Sequence, residues 1–224
     1  MLLKRGVRHL YKHILFDFDG TIADSEESIV EVYNIIADRF SFKKITHKEY
    51  RLLNNSTVKE KLKILGIPFY RLFFMGGLDY EFFTIYKEYL NKISIFDGMK
   101  EILLKLKHSG FKLSIITSNS IDNILLFLKS NNLQIFDDIH SAKGFFGKNR
   151  AFVKYLKKHG LRNKDVIYIG DELRDIIACK KANIDMIAVK WGLDSEELLK
   201  SGQPEYLVGD CRDIFDIVQK SGMT

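Results

Sequence analysis

The chain has 224 residues, 46% of them hydrophobic and 29% charged, so it can bury a sizeable core and has the composition of a globular protein. Its apolar runs are too short to span a bilayer, and its basic first twelve residues lack the apolar stretch of a signal peptide. The two cysteines, Cys179 and Cys211, lack the spacing of a metal site and indicate no disulfide framework. We therefore expect a cytoplasmic protein without a membrane partner, either a monomer or a homodimer.

The net charge of +6 is unevenly distributed along the chain. Basic residues cluster in the first twelve residues and in an acid-free stretch from Ser141 to Lys164. A solvated helix face is the ordinary interpretation of this stretch, and a positive field beside a site for phosphorylated anions is the functional one. Because no zinc-finger, helix-turn-helix or RNA-binding signature accompanies the charge, we do not expect a nucleic acid partner.

The first predicted strand, His13–Phe18, overlaps a pair of acids at its carboxyl end. Alternate residues of an extended chain point the same way, so Asp17 and Asp19 would project together. Two acids placed there repel one another, which serves no packing purpose. The pair instead suits the binding of a cation, or a reaction in which one carboxylate attacks and the other moves a proton.

The segment that follows, residues 25–94, is predicted to be entirely helical. Its helices are expected at Ser25–Phe40, Thr46–Asn54, Ser56–Leu65 and Leu78–Asn91. Aromatic residues at helical spacing in this segment are typical of a packed core. We interpret it as an insert that is attached beside the first strand and is well placed to act as a lid.

The remainder of the chain alternates strands with helices. The predicted strands are Lys112–Ile116, Ile135–His140, Asp165–Ile169 and Met186–Val189, and the predicted helices are Met99–Ser109, Ile121–Asn131, Arg150–His159 and Asp175–Ala182. Gly110, Gly160 and Asn183 stand where helix C-caps are expected. This alternation predicts an α/β fold with a parallel sheet, helices on both faces and a ligand site at the carboxyl ends of the strands.

Polar residues follow the second core strand and precede a later helix. Thr117-Ser118-Asn119 offers hydroxyls and backbone N–H groups that suit an anion, although a helix N-cap explains these residues singly. Lys148 stands before the helix predicted from Arg150, where a cation opposes the helix dipole and therefore needs a reason. It could neutralise a phosphate, and Lys143 is the competing candidate.

A second pair of acids follows the strand Asp165–Ile169. Asp171 comes directly after Gly170, and Asp175 lies one helical turn later. Helix capping explains each acid singly. Oxygen ligands from separate strand ends also suit a hard cation such as Mg²⁺.

Taken together and in this order, these motifs resemble those of the haloacid dehalogenase-like (HAD) hydrolase superfamily. Asp17-Phe18-Asp19-Gly20-Thr21 looks like its first motif, and Thr117, Lys148 and Gly170-Asp171-x-x-x-Asp175 stand where the other three would be. The stretch from Phe146 to Tyr206 is similar to the phosphoglycolate phosphatase-like branch. The resemblance implies a Rossmann-like HAD core formed by residues 1–24 and 95–224, with an all-helical cap domain at 25–94.

The resemblance also implies a role for each residue. Asp17 would be the nucleophile and Asp19 the proton carrier. Phosphate would be bound by Thr117 with the Ser118 and Asn119 region, and its charge would be offset by Lys148. Mg²⁺ would be held by Asp17, the Asp19 main-chain carbonyl and Asp171, with Asp175 as a further ligand or a support.

Within the superfamily, the resemblance makes a Mg²⁺-dependent phosphatase of a small phosphorylated metabolite the leading hypothesis. The natural expectation is phosphoglycolate or a sugar phosphate. Dehalogenases lack the second aspartate, so Asp19 favours phosphoester chemistry. A phosphosugar mutase uses the same aspartate pair and is the enzyme alternative. A non-catalytic binding protein with this fold is the alternative outside the enzymes.

Overall fold

The computed structural model describes residues 11–68, 78–142 and 147–220. Lys143, the basic residues of the first ten positions and the aromatic residues at 69–77 lie outside these ranges. Within them, no helix combines the length and the apolar character needed to cross a bilayer.

Eight strands and ten α-helices occur in the described part of the chain. The strands are β1 (His13–Phe16), β2 (Ala23–Asp24), β3 (Ser94–Ile95), β4 (Lys112–Thr117), β5 (Asp138–Ser141), β6 (Val166–Gly170), β7 (Asp185–Val189) and β8 (Tyr206–Val208). The helices are α1 (Glu26–Phe40), α2 (His47–Leu52), α3 (Val58–Ile64), α4 (Leu78–Tyr86), α5 (Met99–His108), α6 (Ile121–Ser130), α7 (Lys148–His159), α8 (Leu173–Ala182), α9 (Glu196–Ser201) and α10 (Arg212–Lys220).

Six parallel strands form the main sheet in the order β5-β4-β1-β6-β7-β8. Strand β1 lies between β4 and β6, so the chain changes direction across the sheet at this strand. A crevice for ligands is expected at the carboxyl ends of strands beside such a switch. The predicted α/β fold with a parallel sheet flanked by helices is thus confirmed.

Two apolar clusters cover the two faces of the sheet. In β1, Ile14 and Phe16 belong to one cluster and Leu15 to the other, as the alternation of an extended strand requires. All three side chains are fully buried. Helices α7 and α8 contribute to the second cluster through residues such as Phe152 and Ile176. Burial on both faces explains why the core strands are nearly continuous apolar runs.

The chain leaves and re-enters the main sheet through a short antiparallel pair of strands. In this pair Ala23 of β2 lies opposite Ile95 of β3, and Asp24 lies opposite Ser94. The residues between the two strands are helical where described, and Val30, Leu53 and other apolar residues of this segment form a cluster of their own. A separate cluster is compatible with a cap domain.

The helices of the insert begin where their sequence signals them. Thr46 and Thr57 start α2 and α3 with capping boxes, in which Glu49 and Glu60 return the hydrogen bond to the cap residue. The last predicted helix of the insert ends at Tyr86 and continues as a 3-10 helix, Lys87–Lys92.

Some elements of the core differ from the sequence prediction. Helix α7 begins at Lys148, two residues before the predicted start, so the lysine is the first residue of the helix. Strand β8 and helices α9 and α10 were not predicted: β8 and α9 are too short to show a clear period, whereas α10 has buried apolar residues at helical spacing (Ile214, Phe215 and Val218) that were overlooked. The predicted C-caps are confirmed at Gly160 and Asn183, which both have positive φ angles.

Candidate active site

Asp17 lies directly after β1 and is almost fully buried. Its backbone N–H donates to the carbonyl of Ile169 in β6 (2.8 Å), which fixes it at the carboxyl end of the sheet. Its carboxylate Oδ1 accepts the backbone N–H of Phe18 (2.8 Å). The parallel register therefore holds this side chain where the topology predicts a ligand site.

Lys148 carries its ammonium group into the same place from the first turn of α7. Its side chain is 5% exposed, and its Nζ donates to Asp17 Oδ2 and to Asp175 Oδ1, the latter at 2.6 Å. Burial alone would lower the pKa of Lys148, but the charges of Asp17 and Asp175 outweigh burial and raise that pKa above its ordinary value. The unfavourable position at a helix N-terminus is thus compensated by two carboxylates.

Three buried carboxylates converge beside this lysine. Oxygen atoms of Asp17, Glu172 and Asp175 lie within 4.8 Å of one another. Oδ2 of Asp175 is buried and has no hydrogen-bond partner among the described residues. An all-oxygen donor set with an unpartnered buried oxygen fits a hard divalent cation.

The charges of this cluster perturb its members in opposite directions. Burial raises the pKa of Asp175. Burial would also raise the pKa of Glu172, but the cations of Arg174, Lys148 and Lys61 outweigh it and lower that pKa. Arg174 Nε donates to Glu172 Oε2 at 2.7 Å. Glu172 was not predicted as a site residue; its position beside Asp171 in an acid-rich turn was the available signal.

Asp171 lies next to the cluster, and each of its carboxylate oxygens accepts a hydrogen bond. Oδ1 accepts the hydroxyl of Thr21 (2.7 Å), and Oδ2 accepts the backbone N–H of Leu193 (2.8 Å). Burial and the charge of Glu172 raise the pKa of Asp171 well above its ordinary value. A Cβ on Gly20, whose φ is +74°, would lie 2.1 Å from Asp171 Oδ2, so the turn after β1 needs glycine there. The role of Asp171 as a metal ligand remains a prediction.

Asp19 lies on the same side as Asp17 and is held by two donors. Its Oδ1 accepts the hydroxyl of Tyr86, which belongs to α4 of the insert, and its Oδ2 accepts Nδ2 of Asn119 at 2.8 Å. Burial and the charge of Asp17 raise the pKa of Asp19, which favours the protonated form, and the two hydrogen bonds oppose this. Nothing in the sequence signalled Tyr86, because its contact spans 67 positions of the chain.

The three polar residues after β4 differ in what they have left to offer a ligand. Thr117 is buried at the end of the strand, and its Oγ1 accepts the backbone N–H of Asn119 (3.1 Å). Ser118 Oγ is buried and lacks a partner in the described ranges. The amide of Asn119 is engaged by Asp19, Ser120 and Asn123. The hydroxyl of Ser118 therefore has no partner among the described residues, whereas the side-chain amide of Asn119 donates to Asp19.

Contacts from the insert lie around this cluster. Lys61 of α3 donates to Asp194 Oδ1 (2.8 Å), and Asp194 Oδ2 accepts the backbone N–H of Leu173 at the start of α8. Nδ2 of Asn123 donates to the carbonyl of Phe83 in α4 (2.9 Å). Helix α3 of the insert is thus linked through Asp194 to the start of α8, and helix α4 is bonded to α6.

A family model described as haloacid dehalogenase-like hydrolase matches residues 14–189. The phosphoglycolate phosphatase of Synechococcus elongatus is 27% identical over 207 residues, which cover 92% of this chain and 96% of that protein. The pyrophosphatase PpaX of Oceanobacillus iheyensis is 27% identical over 224 residues, covering 93% and 97%.

Solved structures show the same fold. The crystal structure of a predicted phosphatase from Clostridium acetobutylicum matches with a TM-score of 0.77 at 24% identity and covers 94% of this chain and 99% of that one. A predicted phosphoglycolate phosphatase from Haemophilus somnus matches with a TM-score of 0.75 at 20% identity, covering 94% and 99%. The family model spans most of the chain, and it agrees with the resemblance of the motifs: the chain belongs to the haloacid dehalogenase-like hydrolase family.

Proposed function

We propose that this hydrolase is a Mg²⁺-dependent phosphatase that cleaves a small phosphate monoester through an aspartyl-phosphate intermediate. The observation that carries the proposal is the buried Asp17 carboxylate paired with Lys148 at the end of β1, with Asp19 beside it. The phosphatase and pyrophosphatase relatives support the same reaction class.

In the proposed mechanism, Asp17 attacks phosphorus in line and the ester P–O bond breaks. Asp19 gives its proton to the leaving alkoxide and then takes a proton from the water that hydrolyses the aspartyl-phosphate. Its raised pKa makes the protonated form accessible for the first step. Tyr86 and Asn119 hold Asp19 in place for both transfers.

Positive charge and hydrogen-bond donors would stabilise the phosphoryl group in transit. The ammonium of Lys148 offsets the charge that accumulates when a carboxylate meets a phosphate dianion. Ser118 offers a hydroxyl without a described partner, and Thr117 lies beside it at the end of β4. We propose both as phosphate ligands, with Asn119 bracing the general acid instead.

The metal site is proposed from the donor set. Asp17, Glu172 and Asp175 would hold Mg²⁺, together with the Asp19 main-chain carbonyl predicted from the motif resemblance. Asp171 would join them while its oxygens keep their hydrogen bonds to Thr21 and Leu193, since ligating carboxylates are commonly hydrogen-bonded as well. Such a cation would neutralise charge on the phosphoryl oxygens.

We also propose that residues 25–94 form a cap on a core made of residues 1–24 and 95–224. The pair β2–β3 would then be the connection between the two, and the bonds of Lys61 and Asn123 would join cap to core in a closed state. A cap that covers the carboxylates would exclude water and favour small substrates.

Asp17→Asn tests the mechanism, with the exposed Asp24→Asn as its control. We expect Asp17→Asn to abolish Mg²⁺-dependent phosphate release from an aryl phosphate, while its thermal unfolding stays cooperative and Asp24→Asn keeps full activity. Undiminished activity in Asp17→Asn would refute the assigned nucleophile. Removal of the cation with a chelator should stop turnover reversibly.

The mutase alternative rests on the same aspartate pair, which does not distinguish water from a second substrate alcohol. A panel of phosphorylated metabolites, followed for both released phosphate and isomerised product, separates the two reactions. Phosphate release supports the phosphatase. Isomerisation without release supports the mutase, and silence across the panel supports a non-catalytic binding protein.

A further inference from the structure

A cavity of about 250 Å³ adjoins the carboxylates and extends between the insert and the sheet. Its lining includes Asp17, Asp19, Thr117 and Ser118, the residues to which the proposed function assigns the phosphoryl group. The remainder of its volume is therefore available to the part of the substrate that leaves as an alcohol.

The described residues around that remainder are mostly apolar. They come from α1, α3, α4 and the adjoining loops, and include Ile29, Ile36, Leu62, Ile67, Phe82 and Phe83. The rings of Phe82 and Phe83 lie 5.4 Å apart, and each lies within 6.3 Å of the ring of Tyr86, whose hydroxyl bonds to Asp19. An aromatic surface therefore begins immediately beside the proposed general acid.

Within the described part of the chain, the cations that line the cavity are already paired with acids. Lys61 bonds to Asp194 at 2.8 Å, and Arg174 bonds to Glu172 at 2.7 Å. A second anionic group on the substrate, such as the carboxylate of glycolate or the second phosphate of pyrophosphate, would meet these ion pairs rather than an available cation. The hydroxyl of Tyr33 is likewise engaged, since it donates to the carbonyl of Lys43 (2.6 Å).

Burying a charged group where no cation is available is unfavourable, whereas burying apolar surface against these side chains is favourable. The cost of burying a charge and the gain from burying apolar surface both favour a leaving group with an apolar body over glycolate or phosphate.

We propose that the substrate is the phosphate monoester of an alcohol with an aromatic or branched apolar body, held against Phe82 and Phe83. This inference rests on the proposed phosphatase function and narrows its substrate class. The reaction is otherwise the one proposed above. The ester P–O bond breaks and the alcohol leaves with the proton of Asp19. Water then hydrolyses the aspartyl-phosphate and releases inorganic phosphate.

Steady-state kinetics with esters of matched reactivity tests the proposal. 2-Phenylethyl phosphate, methyl phosphate and 2-phosphoglycolate all release alkyl alcohols, so leaving-group chemistry does not decide their order. We expect kcat/KM for 2-phenylethyl phosphate to exceed that of the other two by roughly 10–200-fold, the discrimination available from apolar contacts. A higher kcat/KM for 2-phosphoglycolate than for 2-phenylethyl phosphate would overturn the proposal.

Phe82→Ala tests whether the preference for the apolar ester depends on the cavity wall. Phe111→Ala is the matched control, because Phe111 is also partly buried but does not line the cavity. We expect Phe82→Ala to raise KM for 2-phenylethyl phosphate about tenfold, much more than for methyl phosphate, and Phe111→Ala to change neither. Circular dichroism checks that both variants are folded. An equal loss on both esters in folded Phe82→Ala would contradict the assignment.

The outcomes distinguish a failure of this inference from a failure of the proposed phosphatase function on which it rests. If hydrolysis depends on Asp17 but charged substrates are preferred, the phosphatase function stands and the apolar leaving group is wrong. If no phosphate ester is hydrolysed in an Asp17-dependent manner, both fail.

Discussion

Lys148→Met removes a buried ammonium group that bonds both Asp17 and Asp175. The methionine keeps the length and the apolar stem of the side chain, so packing changes little. What changes is charge: Asp17, Glu172 and Asp175 are left close together with one cation fewer. The substitution therefore isolates the electrostatic contribution of the lysine to the folded state.

The expected cost follows from the burial of the pair. Removing one partner of a buried ion pair costs about 3–5 kcal/mol, because the other charge remains desolvated. Asp175, whose pKa burial already raises, can take up a proton and recover part of this loss. We therefore expect a cost of about 3 kcal/mol, equivalent for a chain of this length to a fall in Tm of roughly 6–12 °C.

Urea unfolding at neutral pH measures this cost, with a chelator present so that no divalent cation replaces the lost charge. Lys154→Met is the control, because Lys154 is an exposed residue of the same helix α7. We expect the control to stay within about 0.5 kcal/mol of the parent protein. If Lys148→Met is no less stable than Lys154→Met, the buried lysine does not stabilise the carboxylate cluster and the electrostatic reasoning fails.

Three further predictions concern separate parts of the fold. Gly20→Ala should lower the free energy of unfolding more than Gly110→Ala: both have positive φ, but at Gly20 a Cβ would lie 2.1 Å from a carboxylate oxygen, whereas at Gly110 it meets no described atom within 4 Å. Tyr86→Phe should lower kcat more than it changes KM for a phosphate ester, because it removes a hydrogen bond to the proposed proton carrier; an unchanged kcat would contradict that positioning role. Asp138→Asn should cost about 1.5–3 kcal/mol at pH 7, because Lys158 and two histidines hold the pKa of Asp138 below its ordinary value despite its burial. This cost should shrink as pH falls below about 4, where the unfolded chain binds a proton first, and a pH-independent difference would contradict it.

Much of the site followed from local patterns. The sequence placed Asp17 and Asp19 together at the end of the first strand, and both line the same cavity, although β1 ends at Phe16 and the acids follow it. The alternation of buried strands with helices predicted the parallel sheet, but the central place of β1 is shown only by the strand order. Asp175 reaches the same place because strands of a parallel sheet end at a common edge. Lys148 was identifiable because a cation at a helix N-terminus lacks a local reason.

Other features depended on contacts between distant parts of the chain. Tyr86 reaches Asp19 only because α4 of the insert lies over the end of β1. Asn119 was expected to bind phosphate, but its side-chain amide donates to Asp19 and accepts from Ser120 and from Asn123 of α6. No pattern of spacing reports which partner a side chain chooses when several lie within reach.

By itself, the sequence determined five of the six strands of the main sheet, its ligand-binding edge and the identity of the paired acids, because these follow from patterns that act over a few residues. The tertiary structure decided that Glu172 joins Asp17 and Asp175 while Asp171 turns to Thr21 and Leu193. It also decided that an apolar cavity adjoins the carboxylates. Side-chain orientation and enclosed space arise from packing between segments far apart in the chain, which local periodicity does not specify.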